Sequence, residues 1–115
     1  MDEFAINPTI PPSGKGCGDC LAAGGWWVHL RRCAQCGNIG CCDTSPNQHA
    51  TKHFETTGHP IVQSFEPGED WMWNYREHDF VPGTALAAPT SRPEDQPVPA
   101  PTANVPDNWR TLIHR

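Results

Sequence analysis

The stretch "CGNIGCCDTSPNQHATKHF", residues 36–54, carries three cysteines and two histidines, and two of those cysteines, Cys41 and Cys42, are neighbours. Thiols and imidazoles packed this densely serve a metal site, a disulfide or a nucleophilic pair. Which of these applies decides the fold, because little else in the chain can hold one together. Of 115 residues, 13 are proline and 10 glycine, and large aliphatic residues are sparse. A core this thin needs a metal, a disulfide or a partner to stay folded.

The surrounding composition narrows the choice. The N-terminus "MDEFAINPTIPP" is acidic and lacks the cationic and apolar regions of a secretory signal. No apolar run approaches the roughly 18 residues that span a bilayer. The expectation is a cytoplasmic protein, where disulfides rarely persist and clustered cysteines bind metal. With eight Lys and Arg and a net charge of -5, the chain argues against a phosphate-tracking surface, so nucleic acid is not an expected partner, and neither is a membrane.

Upstream of the opening stretch lies Cys17-Gly-Asp-Cys20, and Cys36 itself closes Cys33-Ala-Gln-Cys36. Pairs of cysteines separated by two residues form the knuckles of tetrahedral zinc sites. Adding Cys41, Cys42, His49, His53 and His59 gives nine candidate ligands for the eight places of two zinc ions. By spacing alone His49 and His53, four residues apart on a helix, would share one metal. A thioredoxin-like reading fails because neither CxxC sits in a βαβ frame. A Cys–His nucleophile fits poorly too: the surplus thiol is flanked by another cysteine and by Asp43, and the histidines are better used on metal. His29 reads as a hydrogen-bonding residue of a strand, and His78 and His114 as solvated.

Three zones follow. Residues 1–16 form a loosely ordered N-terminal segment, and residues 17–81 hold every cysteine and four of the five tryptophans. Residues 82–106 are a Pro/Ala-rich tail expected to be extended and flexible. Residues 107–115 can form a short helical turn, capped by Asp107 or Asn108, that presents Trp109, Leu112 and Ile113. Within the middle zone the pattern predicts strands at 26–31, 61–65 and 71–75, with a Pro67-Gly68 turn between the last two. A helix is expected over about 47–57, capped by Asn47 and stopped by Gly58. The fold class is α+β: a small zinc-stabilised domain with a twisted antiparallel sheet of about three to five short strands and one main helix.

The run W-V-x-L-x-x-C-x-x-C-G from Trp27, a cysteine five positions later, and H-A-x-x-H-x-x-x-T-G-H-P from His49 resemble the UBP-type zinc finger, in its small prokaryotic-like version. That family is the ubiquitin-binding module of deubiquitinating enzymes. The resemblance spans about residues 17–80. It implies an interleaved ligand assignment, with Cys17, Cys20, Cys41 and His49 on one zinc and Cys33, Cys36, His53 and His59 on the other. It also implies that a third metal site of many members is missing, since residues 1–16 lack Cys and His and "WMWNY" has Met72, Asn74 and Tyr75 where cysteines would stand. Cys42 remains the alternative to Cys41. Counted from Cys36 the ligand is Cys41, counted back from His49 it is Cys42, and "CDTSPNQH" carries one residue more than the family pattern. Cys41 is preferred because the Asp-Thr-Ser-Pro turn absorbs an extra residue more easily than the stiff segment before it.

The resemblance further implies a ligand slot, lined here by Trp71, Trp73 and Tyr75 with Trp26 or Trp27 opposite, Trp27 being preferred. Where family members place a carboxylate-gripping arginine, this chain has Asp43, which repels a carboxylate. Ubiquitin-type Gly-Gly binding is therefore not expected, and a neutral or cationic ligand fits better. The function expected is a non-enzymatic zinc-binding protein-interaction module, monomeric, taking a protein or peptide such as a chain terminus. The alternative is a redox-linked accessory protein using the surplus thiol.

Overall fold

The computed structural model describes residues 6–82, 86–96 and 105–112. Expectations that fall on residues 1–5, 83–85, 97–104 and 113–115, Ile113 and His114 among them, lie outside the described residues. The element order is α1 (Gly18–Ala23), β1 (Leu30–Cys33), β2 (Ile39–Cys41), α2 (His49–Thr57), β3 (Ile61–Ser64), β4 (Met72–Asn74) and β5 (Asp79–Val81), followed by a 3-10 turn at Trp109–Thr111. One five-stranded antiparallel sheet runs in the order β2-β1-β3-β4-β5. The α+β class is as the sequence implied.

Several local expectations are corrected. Trp26 to His29 do not extend as a strand; β1 begins only at Leu30. The reason is non-local: the Val28 N–H donates to Ser45 Oγ and the Leu30 N–H to Glu66 Oε2, so side chains remote in sequence replace strand partners. The helix starts at His49 rather than 47, and its cap is Gln48 in the left-handed region, φ 51°. Gly58 ends it at φ 77°, as expected. The first knuckle is itself helical, with Cys17 at the cap of α1 and Cys20 inside it.

Alternation along the strands divides the sheet into two faces. Arg31 pairs with Gly40 on one side and Ser64 on the other, and Val62 pairs with Trp73, which pairs with Phe80. This face meets α2 at its β2 end. Gly40 permits the approach, since a Cβ there would lie 2.7 Å from the Ala50 backbone nitrogen. The nine-residue helix is too short to cover all five strands, and the β3–β5 end of the face forms a groove.

The opposite face carries the cores. Trp27, Leu30, Ile39 and Phe65 gather around Cys17, Cys20 and Cys41, while Ile61 and Met72 gather with Ala34 and Leu86. Each large side chain so buried contributes about 1.5–3 kcal/mol. So few of them leave the domain dependent on its metal ligands.

The Pro/Ala-rich stretch departs from expectation over residues 86–96, which lie against the domain rather than trailing from it. Leu86 is buried in the second core. The Arg32 guanidinium, 1% exposed, donates to the Ala87 and Pro89 carbonyls at 2.8 and 3.3 Å. Arg92 donates through its backbone to Phe65 and through Nε to Glu66 Oε1, 2.9 Å away. The lead-in is likewise tied down: Asn7 and Ser13 donate to Ala34 and Gly37 carbonyls at 2.7 and 2.8 Å.

Candidate metal centres and the adjoining groove

The eight proposed ligands fall into two groups. Cys17, Cys20, Cys41 and His49 form one, Cys33, Cys36, His53 and His59 the other, and within each group all ligand atoms lie within 4.8 Å of one another. Tetrahedral zinc with Zn–S near 2.3 Å and Zn–N near 2.0 Å separates its ligand atoms by roughly 3.5–3.8 Å. In the first group His49 Nδ1 lies 3.2, 3.3 and 3.5 Å from the sulfurs of Cys17, Cys20 and Cys41, and Cys20 and Cys41 are 3.9 Å apart. In the second, Cys33 Sγ is 3.6 Å from His59 Nδ1 and Cys36 Sγ is 3.3 Å from His53 Nε2. Both groups fit zinc.

Local structure explains each placement. Site one draws on α1, the end of β2 and the first residue of α2. Site two draws on the end of β1, the turn after it, α2 and the residue following Gly58. That turn closes with Gly37 N–H to Cys33 C=O at 2.9 Å, and Gly37 adopts φ 81° against the Pro11 carbonyl. His49 and His53, which spacing alone would put on one metal, serve different groups. The helix therefore braces both sites.

Cys41, not Cys42, belongs to the first group. Between this pair and α2, Gln48 adopts a left-handed conformation and its side chain donates to the Asp43 carbonyl at 2.9 Å. Cys42 turns away, with Sγ 2.8 Å from Thr44 Oγ1 and 3.6 Å from Ser45 Oγ.

The electrostatics of site one call for a cation. Hydrogen bonds from Cys20 and then Cys41 hold the Cys17 thiol far below its usual range, at about 2. That Cys17 thiolate pushes Cys20 up to about 11 and Cys41 higher still. Three sulfurs cannot all ionise beside one another unless a positive ion shares their charge. In site two, burial is the main cause that raises Cys33 to about 11. A bound divalent metal reverses both effects.

Beside these sites the uncovered face forms a groove of about 180 Å³. Trp71, Trp73, Tyr75 and Asp43, all expected there, line it together with Arg31, Cys42, Val62 and Phe80. The ring of Phe80, 62% exposed, stands edge-on to Trp71 and Trp73 at 5.9 and 4.9 Å. Tyr75 stacks on Phe54 of α2 at 5.3 Å, and burial raises its pKa. Arg31 lies over the Trp71 ring, 4.6 Å from its centroid. Asp43 Oδ1 accepts from the Thr51 hydroxyl.

Trp27 is a correction: it is 3% exposed in the core beneath site one and takes no part in the groove. Its indole packs so closely that a Cβ on Gly16 would meet the ring at 2.6 Å. Arg31 and Phe80 were missed by sequence reasoning. Period-two alternation from Leu30 would have pointed to Arg31, whereas "HDFVP" gives no clear signal for a three-residue edge strand.

A five-stranded sheet braced by one helix through two Cys/His tetrads defines a small two-site zinc finger. The chain matches the family described as "Zn-finger in ubiquitin-hydrolases and other protein", zf-UBP, over residues 17–86, and it belongs to that family. It is also similar to protein RPA1320 from Rhodopseudomonas palustris, known from a solution NMR structure. The two are 44% identical, the alignment covers 79% of this chain and 85% of that one, and the TM-score is 0.62. No curated protein matches. Among the described residues no helix is long and apolar enough to cross a membrane.

Proposed function

We propose that the protein is a non-catalytic module that docks a protein or peptide segment in the groove, with two zinc ions as structural staples. Four protein ligands close each tetrad, and a closed zinc sphere stabilises the fold without an open position for substrate. The residues that would hold the ions are the two groups of four, and the chemistry zinc supplies there is charge neutralisation of the thiolates.

The observation that carries the reading is that Arg31 and Asp43, opposite charges, both line an aromatic groove. Arg31 already occupies one face of Trp71, so a ligand cation stacking there would meet like charge. Asp43 in turn opposes a free carboxylate. Both charged ends are disfavoured, and a neutral stretch of peptide suits the groove best. Its carbonyls can accept from Arg31, its N–H groups can donate to Asp43, and an apolar side chain can lie against Trp73 and Phe80.

Tryptophan fluorescence during titration with a Gly-Gly free acid, its amide and a lysine-rich peptide tests this. The amide is expected to bind at least as tightly as the acid and more tightly than the basic peptide. An acid that binds ten times more tightly than its amide would replace this reading with carboxylate recognition by Arg31. The redox alternative has no support at its thiol, since Cys42 is 4% exposed and hydrogen-bonded.

A further inference from the structure

Behind the groove wall formed by Cys42 lies a second apolar surface, made of Trp26, Val28 and Cys42, and Val105 and Trp109 pack on it. The Trp109 ring meets Trp26 edge-on, with centroids 6.3 Å apart and planes at 72°. We infer that this surface is a peptide-docking site in its own right. Residues 105–112 occupy it as a displaceable strap, and it fits partner segments that carry an aliphatic residue four positions before a tryptophan.

The two halves of the C-terminal region are held very differently. Residues 86–96 are fastened through buried charge: Arg92 to Glu66, and their carbonyls to Arg32. The hydrogen bonds of 105–112 stay inside the strap, from Trp109 to Pro106, Thr111 to Asn108 and Leu112 to Trp109, at 3.1, 3.0 and 2.9 Å. Arg110 covers the outer side of the Trp109 ring at 4.6 Å. Among the described residues, the strap meets the domain through apolar contact alone. Its turn is closed by its own hydrogen bonds, as in a preorganised ligand. Contact of this kind is also the type that opens locally at low cost.

Nothing in this depends on what the groove binds. The two surfaces meet at Cys42, so the Cys42 thiol reports on the strap: it is the one cysteine outside both tetrads, and it belongs to the buried cluster on which Trp109 packs. A partner presenting an equivalent segment would have to outcompete a tethered one, whose effective concentration is in the millimolar range.

The experiment is alkylation of the zinc-loaded full chain with iodoacetamide, mapped to Cys42 by mass spectrometry. Trp109→Ala is expected to speed modification of Cys42 by about tenfold or more with both zinc ions retained. Trp109→Phe, which keeps a ring, should stay close to the parent rate. A peptide of the sequence VPDNWRTL at millimolar concentration should restore protection to Trp109→Ala, and the same peptide with alanine for tryptophan should not. Equal Cys42 rates in parent and Trp109→Ala, or failure of the peptide to protect, would overturn the inference. Loss of zinc both from Trp109→Ala and from a chain ending at residue 104 would also overturn it, by making the segment part of the fold rather than a strap.

Discussion

Arg92 donates through Nε to Glu66 Oε1 at 2.9 Å, and this contact fixes a residue beyond the family's matched span to the interior of the domain. Glu66 is 5% exposed and also accepts from the Leu30 N–H and from His29. Arg92→Ala removes one charged donor and leaves the buried carboxylate short of partners. That should cost about 2–3 kcal/mol. Urea unfolding at fixed free zinc reads it, and a chain ending at Pro82 should lose at least as much.

The same cluster sets a pH response. Burial pushes the Glu66 carboxyl up, but hydrogen bonds from His29, Arg92 and the Leu30 N–H outweigh it, and the net shift is downward. The hydrogen bond to Glu66 is the main cause that raises the His29 pKa. The Glu66 contribution is thus present above its unfolded pKa, about 4.3, and is lost as pH falls through the lower folded value. The His29 contribution is complete below its unfolded pKa, about 6.5, and is lost as pH rises through the higher folded value. NMR titration of the His29 ring should give a pKa above 6.5 in the parent. In Glu66→Gln the value should fall back, and an unchanged His29 titration would separate the two groups.

Gly40 permits the N-terminus of α2 to approach β2. Gly40→Ala places a methyl 2.7 Å from the Ala50 nitrogen, a backbone atom that cannot yield without moving His49. The expected cost is about 1–3 kcal/mol, concentrated at site one. Chelator competition should show one zinc released more readily and the other little changed.

In the groove, Trp73→Ala should weaken a bound neutral peptide by about tenfold or more, the loss expected for an aromatic anchor. Asp43→Arg should shift preference toward the free acid. Zinc content should stay at two in both variants, because neither residue is in a tetrad.

What the sequence revealed and what it hid divide by range. The α2 helix, β3, β4 and the Pro67-Gly68 turn follow from local pattern, and the ligand types from CxxC and His spacing. Assignment of ligands to metals was not local: i, i+4 spacing suggested that His49 and His53 share an ion, and the family resemblance was needed to separate them. Trp27 reads as a groove residue only through the ligand slot that the family resemblance implies. Only the packing of Phe65 and the first tetrad around it shows that it is core. The 86–96 segment looked detached because its anchors, Leu86 and Arg92, are isolated in proline-rich sequence. Their partners, Met72 and Glu66, are remote along the chain.

Zinc stoichiometry of two serine variants bears most directly on the interleaved tetrads and on the paired cysteines. Cys41 Sγ lies 3.5 Å from His49 Nδ1 and accepts from the His49 backbone N–H at 3.1 Å, whereas Cys42 faces Thr44 and Ser45. Metal analysis of purified protein should find two zinc ions in Cys42→Ser and fewer than two in Cys41→Ser. Full zinc in Cys41→Ser with loss in Cys42→Ser would contradict the assignment and move the extra residue to the other side of the pair.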